Sequence, residues 1–446
     1  MLASKTNVTA ILPHPPAPTT LDEAGLSLDI VIQLVLKTLH FTGELPGSEL
    51  ANRLGLRFSV IEPALALIKS QHQVEVAGGA IIGGPSYRYR ITDAGRARAQ
   101  LFLETNHYVG AAPVPLAQYR RYMAEYKLRA PSTATRDRVR QAFAHLVISD
   151  RVMDQLGPAI NAGHSMFVYG PPGNGKTVIS QAIQKLLDGD IHIPHALEIE
   201  GAIVRLFDPV THEELPDEQG EGPGLDKGAA GDRRWVRCRR PMVMVGGELT
   251  LESLELSYNP VSGFYKAPVQ ATANGGVLVI DDFGRQRVAA RDLLNRWIVP
   301  LESRVDFLTL NSGQKFELPF MTLVAFATNI RPQELVDEAF LRRIHYKVLC
   351  ESPNHDDYIV IFRNYCRTKN VAFDRPLVED LLENYYKPRN LPLRGCHPRD
   401  LIEQSLSLAE YLGQPATLTP ELLRAACDSY FVDESGEEMS TLKPQA

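Results

Sequence analysis

The chain has 446 residues, enough for two or three domains at the usual size of roughly 100–200 residues each. At 44% hydrophobic and 22% charged, it has the mix of a soluble globular protein, which excludes a fully disordered, collagenous or membrane-embedded chain. With 47 Lys and Arg against 53 Asp and Glu, the net charge is −6, so the chain is no wholesale nucleic-acid coat, although a local basic patch remains open. The five cysteines lie far apart and form no Cys-x-x-Cys pair, which indicates neither a disulfide framework nor a zinc site and fits a reducing compartment. The N-terminus lacks the apolar core of a signal peptide. The longest apolar stretch, Leu26 to Phe41, is broken by Asp29, Gln33 and Lys37, as in an amphipathic helix. A cytoplasmic protein without membrane insertion is expected.

In chain order, residues 1–25 are polar and proline-rich and read as an unstructured tail. Residues 26–105 carry three helical periods, around Ile30–Leu39, Ser48–Leu54 and Val60–Ile68. Two alternating runs, Gln73–Val76 and Tyr87–Ile91, follow as a hairpin about the glycine-rich Gly78–Gly84 turn, and Thr92 then caps a last helix. This order, and the run from Tyr87 to Gln100, resemble a winged-helix domain. Residues 106–135, stiffened by Pro113 and Pro115, read as a linker. From 136 to 348 apolar strand runs alternate with helical periods, which predicts a parallel α/β sheet. Pro216–Asp232, rich in Gly, Asp and Glu, reads as a mobile surface insertion. Helical periods dominate 349–435 as a small helical domain, and 436–446 form a tail.

The strongest motif is Gly170-Pro171-Pro172-Gly173-Asn174-Gly175-Lys176-Thr177, a full G-x-x-x-x-G-K-[ST] match. The strand-like Met166–Tyr169 precedes it, and a helical period begins at Val178. Glycines let successive N–H groups turn toward phosphates, and the helix N-terminus adds its positive dipole end. Lys176 would then reach the β- and γ-phosphates, and the Thr177 hydroxyl would ligate Mg²⁺. The second motif is the apolar run Gly276–Ile280 ending in Asp281 and Asp282. A run of this kind suits a strand buried on both faces, whose C-terminal end delivers carboxylates to the edge where the phosphate loop sits. Asp281 is the metal candidate, and Asp282 stands where a carboxylate would polarise the attacking water.

Taken together, residues 136–435 resemble an AAA+ ATPase: a P-loop parallel sheet with a helical lid, here preceded by the small α+β winged-helix-like domain. The resemblance implies ATP and Mg²⁺ as cofactors and a homo-oligomeric ring, commonly a hexamer, acting on a protein client. It makes Asn329 the first sensor and Arg343, with Arg342 close behind, the arginine reaching a neighbour's nucleotide. It makes Arg399, in His397-Pro398-Arg399-Asp400, the second sensor at the γ-phosphate. The chain departs from the family in having Asp282 where Glu is usual, which shortens the reach by one methylene and implies slower turnover with binding kept. The runs between Arg234 and Ile344 resemble the bacterial MoxR-like, chaperone-type group.

Other features have plainer readings. Phe264 and Tyr265 stand where remodellers carry an aromatic pore loop, but core packing is the favoured reading. Arg233, Arg234, Arg237, Arg239 and Arg240 read as a solvated basic face balanced by Asp226 and Asp232, and His192 and His195 as a surface pair. His397 reads as a packing or hydrogen-bonding residue at the lid hinge. Residues 27–104 hold eight basic against seven acidic residues, too balanced to bind phosphates strongly. Arg88 and Arg90 are the best case for DNA, but protein docking is favoured over a DNA-acting or transcription-related role. A third reading, motivated by Asp282, is a nucleotide-gated scaffold that barely hydrolyses.

Overall fold

The computed structural model describes residues 11–77, 83–129, 134–216, 231–336 and 338–431. After a one-turn helix α1 (Leu21–Ala24), the first apolar periods fold as α2 (Leu28–Thr42), α3 (Gly47–Arg53) and α4 (Phe58–Ser70), with β1 (Glu44–Pro46) between the first two of these. Then come β2 (Val74–Val76), β3 (Arg88–Ile91) and α5 (Asp93–Thr105). The Ser27 and Thr92 side chains cap α2 and α5 by accepting from the Ile30 and Gly95 N–H groups. The strands form an antiparallel sheet in the order β1-β3-β2. It closes over the buried Val31, Leu34, Val35, Leu50, Val60, Ile61 and Leu65. Most of the expected glycine turn, residues 78–82, lies outside the described residues.

Two elements then occupy the expected linker: β4 (Val114–Pro115) and α6 (Leu116–Arg129). The linker expectation is corrected here. Tyr119, Tyr122, Met123 and Tyr126 form one buried stripe at helical spacing and belong to a core, not to a connector.

The α/β part follows as α7 (Arg136–Ala142), α8 (Asp150–Ala162), β5 (Met166–Tyr169) and α9 (Lys176–Leu186). The chain next leaves that part through β6 (Asp190–Pro194), β7 (Ala196–Ile199), β8 (Ala202–Arg205) and β9 (Trp235–Arg239). It returns for β10 (Met242–Val245), leaves again for β11 (Ser257–Asn259), β12 (Phe264–Lys266) and α10 (Val269–Thr272), and returns for β13 (Val277–Ile280). The remaining elements of this stretch are α11 (Ala290–Arg296), α12 (Ile298–Ser303), β14 (Val305–Thr309), β15 (Lys315–Pro319), β16 (Leu323–Thr328), α13 (Pro332–Leu335), α14 (Glu338–Leu341) and β17 (Tyr346–Leu349).

The expected parallel sheet is present, in the order β10-β13-β16-β5-β17, with every pairing parallel. Its central strands are buried along their whole length, as their unbroken apolar runs require. The expectation of a single α/β domain over 136–348, interrupted only by the Pro216–Asp232 insertion, is corrected. A second sheet, β11-β12-β8-β7-β4, mixes parallel and antiparallel pairs. Together with the β6–β9 and β14–β15 ribbons it packs on α6, burying Trp235, Ile191, Ile193, Leu308 and Leu318 among the tyrosines.

Several surface readings fall with it. Arg234 and Arg237 are buried, paired with Asp232 and Asp190 at 2.8 and 2.5 Å. His192 is buried, its backbone N–H donating to the Tyr122 hydroxyl at 2.8 Å. Tyr265 packs in this core, and Phe264 is partly buried and lies edge-on to Tyr108, as the packing reading expects.

The expected tail is also corrected from residue 11 onward. The Ile11 N–H donates to Asp190, Leu12 is buried, and Pro16 bridges Gly231, so this segment is strapped onto β6 and β9. Residues 1–10 and 436–446, expected as tails, and 217–230 of the expected mobile insertion lie outside the described residues.

The C-terminal region is helical as expected: α15 (His355–Thr368), α16 (Arg375–Leu381), α17 (His397–Tyr411) and α18 (Pro420–Tyr430). They enclose a separate core of Tyr358, Phe362, Leu381, Tyr386, Leu401 and Leu423. Among the described residues, no helix is long and apolar enough to cross a membrane.

Candidate functional site

The phosphate loop leaves β5 at its C-terminal end, where β13 and β16 also terminate, because neighbouring parallel strands point the same way. Gly170 adopts φ +148°, and a Cβ there would stand 2.2 Å from the Cys350 carbonyl oxygen, so the strand can turn into the loop only through glycine. Gly173, at φ +77°, faces the C-terminal helical region: a Cβ would meet the Cys396 sulfur at 2.5 Å. Gly175 then serves as the residue before α9, and Lys176 and Thr177 open that helix with Val178 behind them.

Lys176 folds back over the loop, its Nζ donating to the carbonyls of Gly170 and Pro171 at 3.0 and 2.8 Å. Burial holds its ammonium below the ordinary lysine range, while Asp281 and Asp282 pull it back up and Arg394 adds to the depression. The Thr177 hydroxyl donates to Asp281 Oδ2 at 2.8 Å, across 104 residues of sequence. Asp281 Oδ1 accepts from the Asp282 N–H at 3.0 Å, and Gln286 donates to the Asp281 carbonyl at 2.9 Å. Asn329, just past β16, donates to Asp282 Oδ1 at 3.1 Å.

Lys176, Thr177, Asp281, Asp282 and Asn329 therefore converge at one sheet edge. The Thr177 hydroxyl and Asp281 carboxylate supply two hard oxygen donors side by side, the chemistry that Mg²⁺ takes when phosphates and water complete its shell. Asp282 is in the left-handed region at φ +49°, where short Asp and Asn are favoured over longer side chains. That gives a local reason for Asp rather than Glu at this position.

The arginines stand further out. Arg399, in the first turn of α17, pairs with Asp400 at 2.8 Å and is more than half exposed. Arg342 pairs with Glu338 and Arg343 with Glu302. The guanidinium that sequence reasoning missed is Arg394. It donates to Ser352, which also accepts from Asn174. Asn174 in turn accepts from the Gly395 N–H, and the Gly173 carbonyl accepts from the Cys396 N–H. Its signal in the sequence is no more than its place five residues before Arg399 in the same short run.

His397 is buried as the first residue of α17 and contacts the Tyr386 hydroxyl at 3.1 Å, in keeping with its expected role. Burial, with Arg394 adding to it, pushes its pKa down to about 4. The unfolded chain takes up this proton near pH 6.5, so the stabilisation present above about pH 6.5 is lost as pH falls from there through about 4. Thermal melts across that window should show a falling midpoint for the helical region, and His397→Gln should flatten the dependence.

Comparisons with known proteins bear on these parts unequally. A family described as a domain of unknown function (DUF8689) matches residues 354–429, the region of α15 to α18. No curated protein matches the sequence. Among solved structures, NtrX from Brucella abortus is similar at 14% identity and a TM-score of 0.38, over 70% of this chain and 65% of that one. The chain thus spans less than two thirds of that protein. NtrX in complex with ADP gives 14% and 0.39 over 77% and 68%. The RuvB Holliday junction branch migration motor of Thermotoga maritima gives 12% and 0.36 over 65% and 72%.

Proposed function

We propose that this chain is an AAA+ ATPase that binds ATP with Mg²⁺ and hydrolyses it. The observation that carries the proposal is the 2.8 Å contact between Thr177 and Asp281, made at the same sheet edge as Lys176 and the Asn329–Asp282 pair. Backbone N–H groups of Gly173 to Thr177 and the start of α9 would hold the phosphates, with Lys176 released from its two carbonyls toward them. Thr177 and Asp281 would hold Mg²⁺, which supplies charge neutralisation at the phosphates. Asp282 would orient and deprotonate the attacking water, with Asn329 fixing its carboxylate. Arg394 and Arg399 compete for the role of lid arginine, and the placement of Arg394 beside Ser352 and the phosphate loop favours Arg394.

The finer proposal is a homo-oligomeric ring, commonly a hexamer in this class, that remodels a protein client, in the manner of the MoxR-like chaperone-type group. Arg343, with Arg342 as second choice, would then act in a neighbour's site. Protein docking remains the favoured role of residues 26–105, because Arg88 and Arg90 both pair with Glu44 and offer a nucleic acid little free charge. Phosphate release across a protein concentration series tests the ring. The rate per chain should rise with concentration, and Arg343→Ala should lose it while still binding ATP. A flat rate with an unaffected Arg343→Ala variant would sink the shared site.

A further inference from the structure

A cavity of about 550 Å³, lined by none of residues 170–177, lies where α2 and α3 meet residues 107–111 and the second sheet. Its size is that of a small-molecule site, too small to seat a folded partner. Arg53, Arg205, Arg233, His107 and His195 line it, and among the described residues its lining contains no Asp or Glu, in a chain whose net charge is −6. Glu49 pairs with Arg53 from outside the lining, and Arg233 donates to the neutral Asn52. Arg205 acts electrostatically on His195 and Tyr108, and burial together with Arg205 holds the His195 imidazole below its ordinary range. Aromatic side chains form part of the wall: Phe207 lies edge-on to His195, with His212 stacked on it, and Phe264 lies edge-on to Tyr108.

Guanidinium groups grip phosphate or carboxylate oxygens in pairs, and aromatic faces take flat rings. We propose that this cavity binds a small organic anion, a flat-ringed body carrying a phosphate or carboxylate group, and that the ligand ties the N-terminal module to the second sheet. Gly55 supports the tie, since a Cβ there would stand 2.9 Å from the carbonyl oxygen of Arg233, just before β9, so the N-terminal module already touches the ribbon packed beside the second sheet at the cavity rim.

The test is calorimetric titration of the full chain carrying Lys176→Ala, which silences the phosphate loop, with 4-nitrophenyl phosphate and with phthalate as probes. One probe should bind at one per chain, and which of the two binds tighter tells phosphate from carboxylate. Arg205→Gln with Arg233→Gln should weaken it at least ~10-fold, as for lost charged hydrogen bonds, and Arg205→Gln alone by several-fold. Both arginines are exposed, so the variants should melt like the parent. Absence of saturable binding for both probes, or equal affinity in the double variant, overturns the proposal.

Discussion

Lys176→Ala should lose ATP binding, and Asp282→Asn should keep binding while phosphate release falls by roughly 10²–10⁴-fold. The two effects should separate because the proposed roles of the two groups differ. Lys176 is buried against the loop carbonyls, where the proposed reading puts the phosphates, so its loss should remove ground-state grip. Asp282 hydrogen-bonds Asn329 and its own chain neighbour Asp281 and acts on Lys176 only through space, so its amide should still bind nucleotide and lose chiefly the activation of water. Nucleotide binding by fluorescence and phosphate release by a coupled assay distinguish them. A wild-type rate in Asp282→Asn would remove Asp282 from the mechanism. Asp282→Glu should not rescue a slow enzyme simply by adding reach, because the left-handed backbone at 282 disfavours the longer side chain.

Arg234→Met should cost about 3–5 kcal/mol of stability, because it strands the carboxylate of Asp232 in the interior. Asp232 is 2% exposed and its two oxygens receive the guanidinium from Nε and Nη2 at 2.8–3.0 Å. The same guanidinium donates to the Ala24 carbonyl and to Gln118, joining α1, α6 and the start of β9. Denaturant unfolding of the full chain should show the loss. A double variant with Asp232→Asn should recover part of it, since no charge is then left buried. Arg233→Met, one residue away but exposed, should cost under about 1 kcal/mol. A loss from Arg234→Met no larger than that would mean the buried pair contributes little.

The parallel sheet and the site at its edge were legible because both are written locally. Val277–Ile280 and Leu323–Thr328 are unbroken apolar runs, and a strand buried on both faces needs that pattern wherever it pairs. Glycines at 170, 173 and 175 are required by backbone angles, and a motif of fixed spacing records such a requirement directly. The second sheet was hidden because its strands are short and enter it from separate stretches of chain, with β4 and β7 pairing across some eighty residues. Short strands joined by distant pairing leave no periodicity that a local reading can sum.

The same distinction applies to single side chains. The sequence alone marked Lys176, Thr177 and Asp281 as the candidates for phosphate and metal, since motifs of fixed spacing name them whatever lies around them. It also determined the helical C-terminal region, because apolar residues at helical spacing need only their own turn to declare a face. Only the tertiary structure decided which charges are buried. Arg234 and Arg237 share one basic run with the exposed Arg233 and the half-buried Arg239 and Arg240, and their fate rests on Asp232 and Asp190 arriving beside them. Only packing, likewise, brought Arg394 rather than Arg399 beside the phosphate loop and made Tyr119, Tyr122 and Tyr126 a core. Burial and long-range pairing depend on what the rest of the chain brings into contact, and no window of sequence contains its own surroundings.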